Sequence, residues 1–188
     1  MSTTVFIGGK RLRLDDRDLL GVGGEGRVFR AGDRAIKVFF AMTDARKEKL
    51  VAFPKGLPDS VIGPLDLCTD QKGAVIGYAM RALDGAVDVH RLGQRKWRDA
   101  TPTMHTADVL GLFREVAFTV DRLHALGIVV GDLNDGNVVV TPPTTYPRWL
   151  PWFIDADSMQ LPNHPCIVQP PQFTGGSSLT RFSSLSTL

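Results

Sequence analysis

The sequence predicts an α+β chain, β-rich in its first half, with one long helix and a few short strands in its second. Three observations carry this expectation. Up to Met80, short β-branched or aromatic runs alternate with glycine-bearing turns. Over residues 107–126, Val109, Phe113, Val116, Val120 and Leu123 recur at three- and four-residue spacing, with Leu112 and Ala117 beside them, which is the period of a helix with one buried face. Beyond it, residues 128–130, 138–140 and 149–154 are brief apolar runs separated by polar, proline-bearing loops.

Taken in order, Val5-Phe6-Ile7 and the run 10–14, with Leu12 and Leu14 alternating, read as two strands around the turn Gly8-Gly9. Residues 27–30 and 34–40 form a second hairpin around Ala31-Gly32-Asp33, whose glycine can take positive φ. Residues 43–53 read as a charged helix that Pro54 stops. Residues 61–68 and 74–80 are strands flanking Asp70-Gln71-Lys72-Gly73. For the long helix, Thr106 is the expected N-cap, Asp108 suits the first turn, and Gly127 supplies a left-handed residue after the last. From about Gln160 the composition shifts to closely spaced prolines, and half of residues 173–188 are Ser or Thr, so a disordered tail is expected.

At 188 residues the chain is long enough for one domain or somewhat more. Its 22 Lys and Arg against 20 Asp and Glu leave a net charge of +2, too small a field to argue for nucleic acid or an anionic membrane. Cys68 and Cys166 form no closely spaced pair, so no disulfide framework or zinc site is expected. The opening residues hold no long apolar run, and a cytoplasmic location is the expectation.

Two local patterns hint at chemistry. Gly21-Val22-Gly23-Gly24-Glu25-Gly26-Arg27-Val28 fits Gly-x-Gly-x-x-Gly-x-Val, where glycines would let backbone N–H groups approach phosphate oxygens. A flexible turn would look the same, and no Lys-Ser or Lys-Thr follows Gly26 to make a P-loop. Eleven residues past Gly26, Lys37 stands among apolar strand neighbours. Strand alternation can send it to solvent, or an anion can hold it inside.

The segment Leu123-His124-Ala125-Leu126-Gly127-Ile128-Val129-Val130-Gly131-Asp132-Leu133-Asn134-Asp135-Gly136-Asn137 resembles the catalytic loop of the protein-kinase superfamily. Asp132 falls at the catalytic aspartate, Asn137 at the metal-binding asparagine five residues on, and Phe153-Ile154-Asp155 at the metal-aspartate motif. Val130 and Gly131 replace the usual His-Arg, and Asn134 replaces a lysine. These departures make the segment look more like atypical bacterial kinases and small-molecule phosphotransferases.

The resemblance implies a two-lobe kinase-like fold: a five-stranded N-lobe over residues 1–83, a partial helical C-lobe over 84–160 and a tail over 161–188. It implies an ATP- and Mg²⁺-dependent phosphotransferase, most simply a Ser/Thr protein kinase. A small-molecule kinase and an inactive nucleotide-binding scaffold are the alternatives. Gly21, Gly23, Gly26 and Val28 would cover the nucleotide, Lys37 would contact its α- and β-phosphates, and Met80 would open the adenine-binding hinge. Glu48 would hold Lys37, though it reads equally well as a solvated helix charge. Asn137 and Asp155 would hold Mg²⁺, and Asp132 would take the acceptor hydroxyl's proton. Asp157 would assist the metal or cap a turn, and His124 reads as a packed histidine. The partners implied are ATP and a protein or small-molecule hydroxyl. The family's further helices and its Ala-Pro-Glu motif do not follow residue 168. Apolar surface on the 107–126 helix is therefore expected to be uncovered, or covered by a partner chain.

Overall fold

Gly8 and Gly9 adopt φ of 54° and 77°, the left-handed pair that a two-residue hairpin turn requires. They join β1 (Ser2–Ile7) to β2 (Lys10–Asp15), paired antiparallel from Ser2–Asp15 to Ile7–Lys10. The computed structural model describes residues 2–131, 133–143 and 147–164. The same turn logic recurs at Gly32, between β4 (Gly26–Ala31) and β5 (Arg34–Phe39), and at Gly73, between β6 (Asp66–Thr69) and β7 (Val75–Arg81). One further strand, β3 (Leu19–Val22), is the first half of the glycine-rich segment, so that segment is itself a hairpin.

These strands form one antiparallel sheet of seven, in the order β2-β1-β6-β7-β5-β4-β3. It has two strands more than the five expected. The sheet curls until β2 meets β4. Alternation along β5 divides the core. Ile36 joins Val5, Leu14, Phe29, Cys68 and Ala79 inside the curl, while Ala35 and Phe39 face the other way with Tyr78 and Met80. Across that second face lie Leu50 of α1 (Asp44–Val51), Ile62, Val139 and Trp152.

Val139 and Trp152 belong to a three-stranded antiparallel sheet of β8 (Val87–Asp88), β9 (Val138–Thr141) and β10 (Leu150–Phe153). The two sheets are tied through residues 60–62, where Phe153 N–H donates to Ser60 C=O and Ile62 N–H donates to Phe153 C=O, both at 2.8 Å. This accounts for the expected strand at 61–68 beginning only at Asp66. Pro64 lacks a donor, and Ile62 is already committed to Phe153.

A short helix, α2 (Arg95–Asp99), precedes α3 (Thr106–Ala125). The N-cap of α3 is His105 rather than Thr106, and its backbone N–H donates to the Asp108 carboxylate at 2.8 Å. Leu112, Thr119 and Leu123 are the buried stripe, with Val109, Val116 and Val120 beside it. Each large apolar side chain so buried contributes roughly 1.5–3 kcal/mol. Phe113, expected on this stripe, is exposed, as are Leu110 and Phe118. His124, expected to pack, is exposed too.

At the helix's end Gly127 (φ 71°) closes a Schellman turn, in which Ile128 N–H donates to Leu123 C=O at 2.9 Å. That commitment removes the expected strand at 128–130, and only Val129 pairs, with Gln160. Among the described residues no helix is long and apolar enough to cross a membrane. Cys68 is buried as a free thiol, and burial pushes its pKa up to about 12. Cys166 and the Ser/Thr-rich tail lie outside the described residues.

Candidate functional site

Lys37 is buried, with 5% of its surface exposed, and sits on the sheet face that also carries Ala35, Phe39 and Tyr78. An ammonium group held there must meet an anion, because the desolvation cost of an unpaired charge exceeds what a strand can bear. It meets two. The segment after β10 delivers Asp155 and Asp157, more than a hundred residues away in sequence. The ammonium donates to Asp155 Oδ1 and to both oxygens of Asp157, the latter at 3.0 and 3.1 Å. Tyr78, the register partner of Lys37 on β7, donates its hydroxyl to Asp157 Oδ1 at 2.5 Å. Lys37, Tyr78 and Asp157 thus form a closed buried network.

The backbone of the turn explains how two aspartates reach one ammonium. Asp155 has φ 58° and ψ 38°, the only non-glycine residue with positive φ among those described. A left-handed aspartate costs on the order of 1 kcal/mol, and such strain collects at functional sites. It turns the chain out of β10 into a short 3₁₀ turn at Ala156–Ser158, where Ser158 N–H and Oγ–H both donate to Asp155 C=O. Asp157 is thereby carried back under Lys37, with its side chain 3% exposed, while that of Asp155 remains 31% exposed at the edge.

Charge follows this geometry. Burial works against the Lys37 ammonium, but the charges of Asp157 and Asp155 outweigh it and hold its pKa above the ordinary lysine value. Burial and the neighbouring Asp157 charge push Asp155 up to about 6. Asp157 is buried as well, yet the Lys37 charge and the Tyr78 hydroxyl hold its carboxyl below the usual range. Burial, then the charge of Asp157, push the Tyr78 phenol well above its ordinary value.

The two carboxylates have opposite consequences for stability. A raised folded-state pKa means that the folded protein binds the Asp155 proton more tightly than the unfolded chain. Its contribution therefore falls as pH rises from about 4 through about 6. Asp157 contributes stability that is present at neutral pH and lost on acidification. Asp155→Asn is accordingly expected to gain stability relative to the wild type as pH is raised from 4 to 7, in urea unfolding at each pH. A difference between the two proteins that does not change with pH would contradict the raised value.

The glycine-rich hairpin stands beside this cluster. Gly23 N–H donates to Gly26 C=O at 2.9 Å, closing the tip. A Cβ on Gly26 would lie 2.4 Å from the Val38 carbonyl oxygen, so packing within the chain requires that glycine. Gly21, Gly23 and Gly24 differ. None has positive φ, and a Cβ on any of them would meet nothing within 4 Å. The fold itself does not require glycine at those three positions, which leaves room for something outside the chain to lie against them. Val28, half-buried, pairs with Gly21 and Lys37 on either side. Glu25 at the hairpin tip places Oε2 3.8 Å from the Lys37 ammonium.

Of the other expected site residues, Met80 is buried near the end of β7, beside Ala35. Asn137 lies next to the Asp155 segment, where Ile154 N–H donates to Asn137 C=O at 3.0 Å. Asn134 shapes the preceding loop, its Oδ1 accepting Gly136 N–H at 2.8 Å. Asp132 lies outside the described residues. Glu48, expected to hold Lys37, is exposed on α1, and the carboxylates at Lys37 are Asp155, Asp157 and Glu25.

Asp155 and Asn137 give the hard oxygen donors that Mg²⁺ accepts when phosphate oxygens and water complete its shell. Among the described residues, no group of three or more His, Cys, Asp or Glu side chains converges as a self-sufficient metal site. Two surface hollows lie away from this cluster, one of them lined by Lys10, Arg11, Arg30 and Arg34 on the Ile36 side of the sheet. A scan of the chain against protein-family models matches none, and no curated protein is significantly similar to it in sequence.

Proposed function

We propose that the chain is an ATP-dependent phosphotransferase with a kinase-like, two-lobe arrangement: the curled seven-stranded sheet as one lobe, and α3 with the small sheet as the other. The observation that carries this reading is the buried Lys37 ammonium held on Asp155: the resemblance sets that lysine on the α- and β-phosphates and that aspartate on Mg²⁺. Supporting it are three glycines in the adjacent hairpin that the fold does not itself require, and the position of Asn137 beside the Asp155 segment, its backbone C=O accepting Ile154 N–H.

Each group then has a task. The hairpin backbone covers the triphosphate, and Lys37 neutralises its non-reacting oxygens. Asp155 and Asn137 would hold Mg²⁺, which when bound offsets the phosphate charge. Asp132 orients an acceptor hydroxyl and takes its proton as the oxygen–γ-phosphorus bond forms and the bond to the β-phosphate oxygen breaks, releasing ADP. Asp157, held by the Tyr78 hydroxyl, fixes Lys37 in position. The acceptor is a protein Ser/Thr hydroxyl in this reading, and a small-molecule hydroxyl uses the same groups.

The test is a thermal-shift titration with Mg-ATP on the wild type and on Asp155→Asn, joined to a labelled γ-phosphate transfer assay. The wild type is expected to melt at higher temperature with Mg-ATP and to transfer label, and Asp155→Asn to lose the Mg²⁺-dependent part of the shift. A shift without transfer would assign the chain to nucleotide binding alone. A folded wild type with neither removes the reading, and transfer that persists unchanged in Asp132→Asn removes the assigned base.

A further inference from the structure

Lys37 has one carboxylate more than its own charge and burial require. Lys37 already has Asp155 and Asp157, two negative charges against one positive, yet Glu25 brings a third to 3.8 Å. Its other oxygen, Oε1, accepts from the Arg46 guanidinium at 2.5 Å. Arg46 belongs to α1 and is itself fixed: it donates to Ala41 C=O at 2.9 Å and lies 4.5 Å from the centroid of the Phe39 ring. The Lys37 ammonium lies 5.1 Å from the same ring. Two cations therefore lie against the Phe39 ring, and a single carboxylate from the glycine-rich tip bridges them, its two oxygens divided as a phosphate group's would be.

Resting on the nucleotide reading above, we propose that Glu25 is a built-in counter-ion of the phosphate site and Arg46 a second phosphate-binding cation. The carboxylate occupies Lys37 and Arg46 until a phosphate group of a polyphosphate ligand takes its place. The backbone at Glu25 is anchored, its C=O accepting Phe40 N–H at 2.9 Å, so the exchange needs only side-chain rotation. That side chain is 26% exposed and can rotate into water. Lys37 keeps its position when Glu25 leaves, because Asp157, itself fixed by the Tyr78 hydroxyl, still accepts from its ammonium. Arginine suits the role, since its planar fork matches phosphate oxygens as well as it matches a carboxylate.

Calorimetric titration of the full chain with inorganic tripolyphosphate, and separately with adenosine, tests this on the wild type, Glu25→Gln and Arg46→Gln. Glu25→Gln is expected to bind tripolyphosphate about 3- to 10-fold more tightly than the wild type, and Arg46→Gln about 3- to 10-fold more weakly, as the gain or loss of one charge-assisted contact implies. Adenosine affinity is expected to be the same in all three. If Glu25→Gln does not fold, Glu25→Asp, one methylene too short to bridge both cations, is expected to shift in the same direction. Tripolyphosphate bound equally or more weakly by the Glu25 variant, with wild-type binding intact, overturns the counter-ion role and leaves the nucleotide reading standing. Unchanged affinity in Arg46→Gln overturns the role of that arginine. A folded wild type that binds neither tripolyphosphate, adenosine nor Mg-ATP overturns the proposal together with the reading beneath it.

Discussion

Lys37→Met is expected to lower the unfolding free energy by about 3–5 kcal/mol at pH 8, the range for removing one partner of a buried ion pair. The substitution keeps the length of the side chain and most of its apolar contact, so cavity formation contributes little. What it removes is the cation facing Asp155 and Asp157. Two carboxylates then share a site with 3% exposure at one of them, and the folded state can relieve this only by binding a proton. The deficit is therefore expected to shrink as pH is lowered from 8 towards 5, which urea unfolding at several pH values measures. Adding Asp157→Asn to Lys37→Met is expected to recover part of the loss, so that the two changes are not additive. A midpoint unchanged by Lys37→Met would mean that the ammonium does not carry the pair.

That network also marks where the sequence stops being legible. The hairpins are readable because Gly8, Gly9, Gly32 and Gly73 announce positive φ, and α3 is readable from its apolar period. Lys37 and Asp155 are readable only through a family resemblance, since no local pattern connects residues so far apart. Asp157 is harder: two residues past Asp155, it looks like a turn residue, and only the left-handed backbone of Asp155 carries it beneath the lysine. Glu48 is the only glutamate in residues 43–53, which makes it the candidate that sequence offers as lysine partner. The burial of the neighbouring Lys49 and Leu50 shows that α1 packs on the adjacent face, which leaves Glu48 in water. Arg46, about one turn before Lys49 and Leu50 on α1, reads in sequence as one more surface cation. Its position depends on the Phe39 ring of β5 and on Glu25 at the tip of the β3–β4 hairpin.

Gly77→Ala is expected to cost about 3 kcal/mol or more, at the severe end for a change of one methyl group. Gly77 lies in the middle of β7 between β5 and β6, opposite Val38 on one side and Cys68 on the other. There the β6 pairing slips, passing from Cys68–Gly77 to Thr69–Val75. A Cβ at Gly77 would stand 2.0 Å from the Lys37 carbonyl oxygen, and backbone on a paired strand cannot move aside as the end of a side chain can. Relief requires β5 and β7 to separate where Lys37 pairs with Tyr78, the two residues that hold Asp157 between them. The variant should thus lose both stability in urea and any Mg-ATP-dependent shift in melting temperature. Gly21→Ala makes the contrast. With nothing within 4 Å of its Cβ, it should change stability by no more than about 0.5 kcal/mol. If it also weakens Mg-ATP binding, the glycine serves a ligand lying against the hairpin and not the fold. Equal losses of stability in the two variants would mean that the close approach of β5 to β7 is not what fixes Lys37 over its aspartates.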